Sequence, residues 1–176
     1  MQRHKAAGLV FALLIVLGIA LLDRSAGLFP VHDDFHKYHD QSFEVLRVID
    51  GDTLELKAPD GDQKTTRVRL WGVNTPEMHA DNPDTPPEPW AEEASAFVRD
   101  AVAGQVVVLR LQDHRLRGRF GRLLAYVVLA DGRVLNAALI ENGLSKHDGR
   151  WGHDQGGYFE TLEKNARERR VGLWGP

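Results

Sequence analysis

A cadence of short alternating runs, punctuated by turn dipeptides, constrains this chain more than any other feature. Residues 43–49 form a β-rich run that ends at Asp50-Gly51, a pair strongly preferred in tight hairpins. Residues 53–56 alternate and stop at Pro59-Asp60-Gly61-Asp62. Residues 65–73 alternate again, with Val68 and Leu70 on one face and Arg67, Arg69 and Trp71 on the other. A loop rich in proline and acid follows. Pro89 then opens a helix whose apolar stripe is Ala94, Phe97, Val98, Ala101 and Val102, with Gly104 just past its end. Residues 106–111 and 123–129 read as two further strands, apolar on both faces and therefore central. A short helix over 136–141 and a longer one over 158–170 complete the chain.

Five short strands with one helix between the third and fourth predict an α+β fold, mainly β. The order fits a five-stranded Greek-key barrel of the oligonucleotide-binding type with about three helices. Periodicity alone leaves other α+β arrangements open.

Residues 1–22 stand apart from that pattern. Arg3, His4 and Lys5 precede an uncharged run over 6–22, rich in Leu, Val, Ile and Ala. Its length lies at the short end of the spanning range, and the basic flank places the N-terminus inside. A membrane anchor is expected, with the following domain outside the cytoplasm; a cleaved signal segment is the alternative. Residues 23–41 carry His32-Asp33-Asp34 and His36-Lys37-Tyr38-His39-Asp40 without a recurring ligand spacing, so they are read as a polar tether. The globular domain is then 42–176. With no cysteine, disulfides and thiolate metal sites are excluded. A net charge of −3 rules out general polyanion binding, so any nucleic-acid activity must rest on local positive charge. The stretch from Arg110 to Arg122 supplies it, with five arginines against Asp113.

Three segments carry candidate chemistry. Asp50-Gly51-Asp52-Thr53 sits at a turn, Arg69 on a strand, with Asn74-Thr75-Pro76-Glu77 just after it. Arg117-Gly118-Arg119-Phe120-Gly121-Arg122 leads into the last strand. Each alone has an ordinary reading, as a hairpin turn, a solvated arginine or an exposed basic loop. Their order along the chain is specific. Together with Glu93-Ala94-Ser95-Ala96-Phe97, Leu124-Ala125-Tyr126, Asn136, Gly143-Leu144 and Gly172-Leu173-Trp174, the sequence resembles the staphylococcal-nuclease-like, or thermonuclease, family.

That resemblance implies a calcium-dependent endonuclease-like hydrolase acting on DNA, RNA or both, with no protein partner inferred and a monomer expected. It implies metal ligation by Asp52, by the side chain at Asn74 and by the backbone carbonyl of Thr75. It gives Glu77 the part of general base or water-orienting group, and gives Arg69 and Arg122 the phosphate. Periodicity puts Arg67 on the same face, and only the resemblance selects Arg69. Arg119, Phe120 and Trp151 are candidate substrate contacts, and Arg115 and Arg117 are expected as milder phosphate contacts. The chemistry is coherent, because guanidiniums and a hard cation offset charge on a phosphodiester under attack.

The sequence departs from the family pattern at Asn74, where an acid is usual. An amide oxygen still ligates calcium but brings no charge, which leaves room for another divalent ion. Gly118 likewise replaces an acid, and residues 146–157 hold Trp151 as their one aromatic. A nucleic-acid-binding barrel with weakened or absent catalysis is the alternative function.

Overall fold

The computed structural model describes residues 31–176 except 80, 81 and 83, with side chains from residue 34 onward. The expected anchor at 1–22 lies outside the described residues. Among those described, no helix is long and apolar enough to cross a membrane.

The elements run α1 (Val31–Tyr38), β1 (Gln41–Asp50), β2 (Thr53–Leu56), β3 (Thr66–Leu70), β4 (Val73–Asn74), α2 (Ala91–Val102), β5 (Val106–Arg110), β6 (Leu123–Val128), α3 (Leu135–Glu141), β7 (Lys146–His147) and α4 (Gly156–Arg169). A 3-10 turn at Gly172–Trp174 follows. Five strands close into a barrel in the order β1-β2-β3-β6-β5, as the strand cadence predicts. All barrel pairings are antiparallel except β3 with β6. A parallel pair needs a crossover, and α2 with β5 supplies it. Leu54, Leu56, Val68, Leu70, Val107, Leu109, Leu123 and Val127 fill the interior, and Ala94, Val98 and Val102 of α2 pack on it.

The structure corrects four expectations. The third strand does not continue to residue 73. It stops at Leu70 because Trp71-Gly72 turns the chain, with Gly72 at φ +75°. A Cβ there would also lie 2.6 Å from the His153 ring. The turn carries Trp71 inward, where it is buried, so it does not share the outer face of Arg67 and Arg69. Beyond the turn, Val73 and Asn74 pair with His147 and Lys146 in a separate two-stranded sheet. Of the two strands expected to be buried on both faces, only β6 is; β5 buries Val107 and Leu109 but leaves Val106 exposed.

The fourth correction concerns the tether. Its described part from residue 31 is no solvated linker, since α1 docks on the barrel. Phe35 and Tyr38, one helical turn apart, make an apolar edge within a charged segment. Tyr38 is fully buried, and its hydroxyl lies 2.9 Å from the Pro59 carbonyl oxygen and 3.1 Å from Thr66 Oγ1.

Asn136 joins the barrel to the turn that precedes β4. Its Oδ1 accepts from the Val127 N–H at 2.9 Å, while Nδ2 donates to the carbonyls of Trp71 at 2.9 Å and Ala125 at 3.1 Å. The residue is fully buried. Asn136→Ala strands these groups and is expected to cost on the order of 3 kcal/mol, read from urea unfolding. A loss below about 1 kcal/mol, the net worth of an ordinary hydrogen bond, would show that the linkage carries little stability.

Candidate active site

The hairpin turn between β1 and β2 carries Asp50, Gly51 and Asp52 to the segment that follows β4. Gly51 is required by close approach, because a Cβ would sit 2.9 Å from Thr75 Oγ1 and 3.0 Å from Ala94 Cβ. That contact brings the turn against the segment after β4. Asp52 is buried beside it, and its Oδ2 accepts from the Thr75 N–H at 3.2 Å. Its Oδ1 accepts from Thr53 Oγ1 at 3.0 Å and is ion-paired with Arg69 Nη1.

Arg69 stands at the centre of the site. From β3 its Nη2 donates to Asn74 Oδ1 at 3.1 Å and to the Val73 carbonyl at 3.3 Å. Burial, and then the charge of Arg122, push its guanidinium down to about 10, while Glu77, Asp148 and Asp50 pull the other way. Arg122 enters from the loop before β6, and its Nη1 donates to Thr53 Oγ1 at 3.1 Å. Asn74 is fixed through its own N–H, which donates to Ser145 Oγ at 2.9 Å ahead of β7. A histidine pair steadies the far side of β7: His147 Nε2 lies 3.0 Å from His153 Nε2, and His153 Nδ1 lies 2.8 Å from the Tyr126 hydroxyl.

Glu77 lies at the solvent edge. Its backbone is clasped by Glu88, with the Glu77 N–H donating to Oε2 at 3.1 Å and the Glu88 N–H to the Glu77 carbonyl at 3.0 Å. Its carboxyl faces that of Asp50. Partial burial, and then the bond and charge of Asp50, hold it above the ordinary glutamate range. A raised folded-state value means the folded chain holds that proton more tightly than the unfolded one. The associated stability is present at low pH and is lost as pH rises through the folded value. Asp50→Asn is therefore expected to raise the Tm at neutral pH in chelator, with the gain fading as pH falls below the ordinary glutamate range. Equal Tm gains at both pH extremes would mean that the two carboxyls do not oppose each other.

Two grooves meet at this centre. One, of about 610 Å³, runs from Arg69 past the 115–122 loop to Trp151. Six arginines line it (Arg69, Arg115, Arg117, Arg119, Arg122 and Arg150) against Asp148 alone. Asp148 is itself forked by Arg150, whose Nε and Nη2 reach it at 2.8 and 2.7 Å. Two exposed aromatics border the groove. The Arg115 guanidinium lies 4.6 Å from the Trp151 ring, and those of Arg119 and Arg122 lie 5.6 and 5.7 Å from Phe120. The second groove adjoins the first at Phe120 and Arg122 and includes Glu77.

The structure thus gathers Asp52, Asn74, Thr75, Arg69 and Arg122 in one hydrogen-bonded cluster with Glu77 at its margin, and places Arg119, Phe120 and Trp151 along the groove. Ser145 joins them without a role in the sequence reading; Asp50, the acid that could stand in for the charge missing at Asn74, joins them too. Asp50 had a visible signal, a second acid across one glycine; Ser145 had none. Arg117 departs from expectation. Its Nε and Nη2 donate to Asp34 at 2.6 and 2.9 Å, and both Nη atoms donate to Asp60 at 2.7 and 2.8 Å. A fifth bond runs to the Gly121 carbonyl at 2.8 Å. Arg117 is a tie between α1, the β2–β3 hairpin and the loop that presents Arg122, with little left for a phosphate.

The donors available to a metal are all oxygens: the carboxylates of Asp50, Asp52 and Glu77, the Asn74 amide and Thr75. Thr75 Oγ1 is buried without a hydrogen-bond partner. Among the described residues no three His, Cys, Asp or Glu side chains are drawn together tightly enough to hold an ion unaided. The opposed Asp50 and Glu77 carboxyls nevertheless leave negative charge that a hard cation relieves. An oxygen-ligand cation that keeps water in its shell fits this set.

A barrel with a buried carboxylate paired to Arg69, Arg122 held beside it through Thr53, and an arginine-lined groove has the form of a phosphate-handling protein. The chain belongs to the family described as staphylococcal nuclease homologue, whose profile matches residues 67–176. It is 33% identical to a thermonuclease of Staphylococcus hyicus over 94% of each chain, and 32% identical to one of Staphylococcus intermedius over 99% of each. It is also 28% identical to an uncharacterized endonuclease of Escherichia coli O157:H7 over 74% of each chain.

Proposed function

We propose that this protein is a calcium-dependent nuclease that hydrolyses phosphodiester bonds of DNA, RNA or both. The observation that carries the reading is the convergence of Arg69 and Arg122 on the edge of buried Asp52, with Glu77 beside them. A binding module has no use for a carboxylate with an elevated proton affinity next to its phosphate site. Two relatives aligned over nearly the whole chain are thermonucleases, which supports the same activity.

Arg69 and Arg122 grip the non-bridging oxygens of the scissile phosphate, offsetting the charge that builds during attack. Glu77 orients the attacking water and accepts its proton, for which a carboxyl held above its usual range is suited. Asp52, Asp50, Asn74 and Thr75 would hold calcium, which when bound adds a hard positive charge beside the phosphate. Trp151 and Phe120 offer rings on which bases stack whatever their identity. The basic flank and apolar run before residue 23 support an extracytoplasmic domain on a membrane anchor.

One observation favours a second reading, a nucleic-acid binder with lapsed catalysis. Arg69 already engages both Asp52 and Asn74, the two side chains expected to ligate metal. Incubation with labelled single-stranded DNA and RNA, in calcium, in other divalent ions and in chelator, separates the two. The nuclease reading expects calcium-supported cleavage that chelator stops. Tight binding without cleavage in any cation would replace it with the binder.

A further inference from the structure

We propose that the second groove is a subsite for the phosphodiester next to the scissile one, with Arg67 as its cation. The inference rests on the nuclease reading above and extends it to a longer polynucleotide track. The groove is about 840 Å³, framed on one side by Glu55, Gln63, Thr65 and Arg67 of the β2–β3 hairpin. On the other side it reaches Glu77 and Arg122. Because Phe120 and Arg122 also line the first groove, a strand gripped at Arg122 has continuous room in both directions.

The groove contains acids, and their pairing decides its sign. Glu55 stands across the sheet from Arg67 in register, yet gives its carboxylate elsewhere. Its Oε2 accepts from Arg47 Nε at 2.5 Å and its Oε1 from Thr65 Oγ1 at 2.8 Å, which together hold it below the ordinary glutamate range. Asp60 is taken by Arg117. Arg67, exposed on β3, makes no hydrogen bond or ion pair among the described residues. Arg122 meets no carboxylate among them either. The unspent charge lining the groove is therefore that of two guanidiniums, Arg67 on the hairpin side and Arg122 opposite it, against Glu77 alone.

Spacing supports the assignment. Arg67 and Arg69 are two residues apart on one strand and face the same way, with Val68 between them buried. Their Cα atoms are about 6.6 Å apart along an extended strand. That is comparable with the step between successive phosphates of an extended single strand. With Arg69 on the scissile phosphate, Arg67 meets its neighbour.

The test uses the full chain and single-stranded deoxyoligonucleotides extended one phosphate at a time on either side of a single cleavable bond. Arg67→Gln keeps a polar side chain and removes the guanidinium charge. The gain in kcat/KM that wild type shows when the adjoining phosphate is added is expected to shrink about three- to tenfold in the variant, on one side only. A neutral methylphosphonate at that position should produce the same loss in wild type, and the variant should then add nothing to it. The loss should lie in KM, with kcat for the longer substrate retained. Anisotropy in chelator, where nothing is cut, should show the salt slope of oligonucleotide binding falling by about 0.7, one phosphate contact on a single strand. An Arg67→Gln loss independent of substrate length, or an unchanged salt slope, overturns the subsite. A chain that cuts nothing but still shows the lowered slope overturns the nuclease reading alone.

Discussion

Glu77→Gln is expected to lower kcat by about a hundred- to ten-thousandfold at saturating calcium, the usual worth of a positioned general base. The substitution keeps the shape and removes both the charge and the basicity. Glu77 is held to the fold mainly by backbone bonds with Glu88, so the loop should survive the change. Oligonucleotide binding should persist because Arg69 and Arg122 are untouched, and it should strengthen slightly as a negative charge is lost. Single-turnover cleavage and anisotropy on the same labelled oligonucleotide separate these effects. Turnover close to wild type would remove Glu77 from the mechanism and leave its carboxyl pair with Asp50 as a metal site only.

Asn74→Asp is the second large effect. At an effective dielectric of about 20, a unit charge a few ångströms from a divalent ion is worth several kcal/mol. Arg69 Nη2 already bonds the Asn74 amide oxygen, so the new carboxylate would first pair with that guanidinium. The discounted expectation is a calcium affinity tighter by roughly tenfold to a thousandfold, with little gain in turnover once calcium saturates. Asp50→Asn is the informative companion in a calcium titration of turnover. Tightening in Asn74→Asp beside a partial weakening in Asp50→Asn marks a site running with one ligand charge missing. No change in the first variant with collapse in the second would place the compensating charge at Asp50. Activity appearing only in Asn74→Asp would make this chain a binder.

The sequence announced the barrel because its information there is local. β2 was read with its observed bounds, since alternation and flanking turn dipeptides are features of a few neighbouring residues. The α2 stripe was equally plain, although Pro89 and Trp90 form a turn ahead of the helix instead of its first residues. What escaped was non-local. The β4–β7 pair is two residues on each side and has no period to detect, yet it fixes Asn74. Arg117 looked like its basic neighbours, and nothing near it reveals that Asp34 lies 83 positions away along the chain. Tyr38 was hidden by the charges around it. In the site, the family resemblance carried by the ordered motifs selected Asp52, Arg69, Glu77 and Arg122. The direct bond from Arg69 to Asn74 depends on the turn at Gly72, which an unbroken strand reading concealed.

In the proposed mechanism, water oriented by Glu77 breaks the phosphodiester bond. Cleavage of DNA and RNA in ¹⁸O-enriched water, followed by mass spectrometry of the products, tests it most directly. One solvent oxygen is expected on each newly formed terminal phosphate, in DNA and RNA alike. Cleavage confined to RNA, with cyclic phosphate ends that carry no solvent oxygen, would show the ribose hydroxyl as the nucleophile and contradict it.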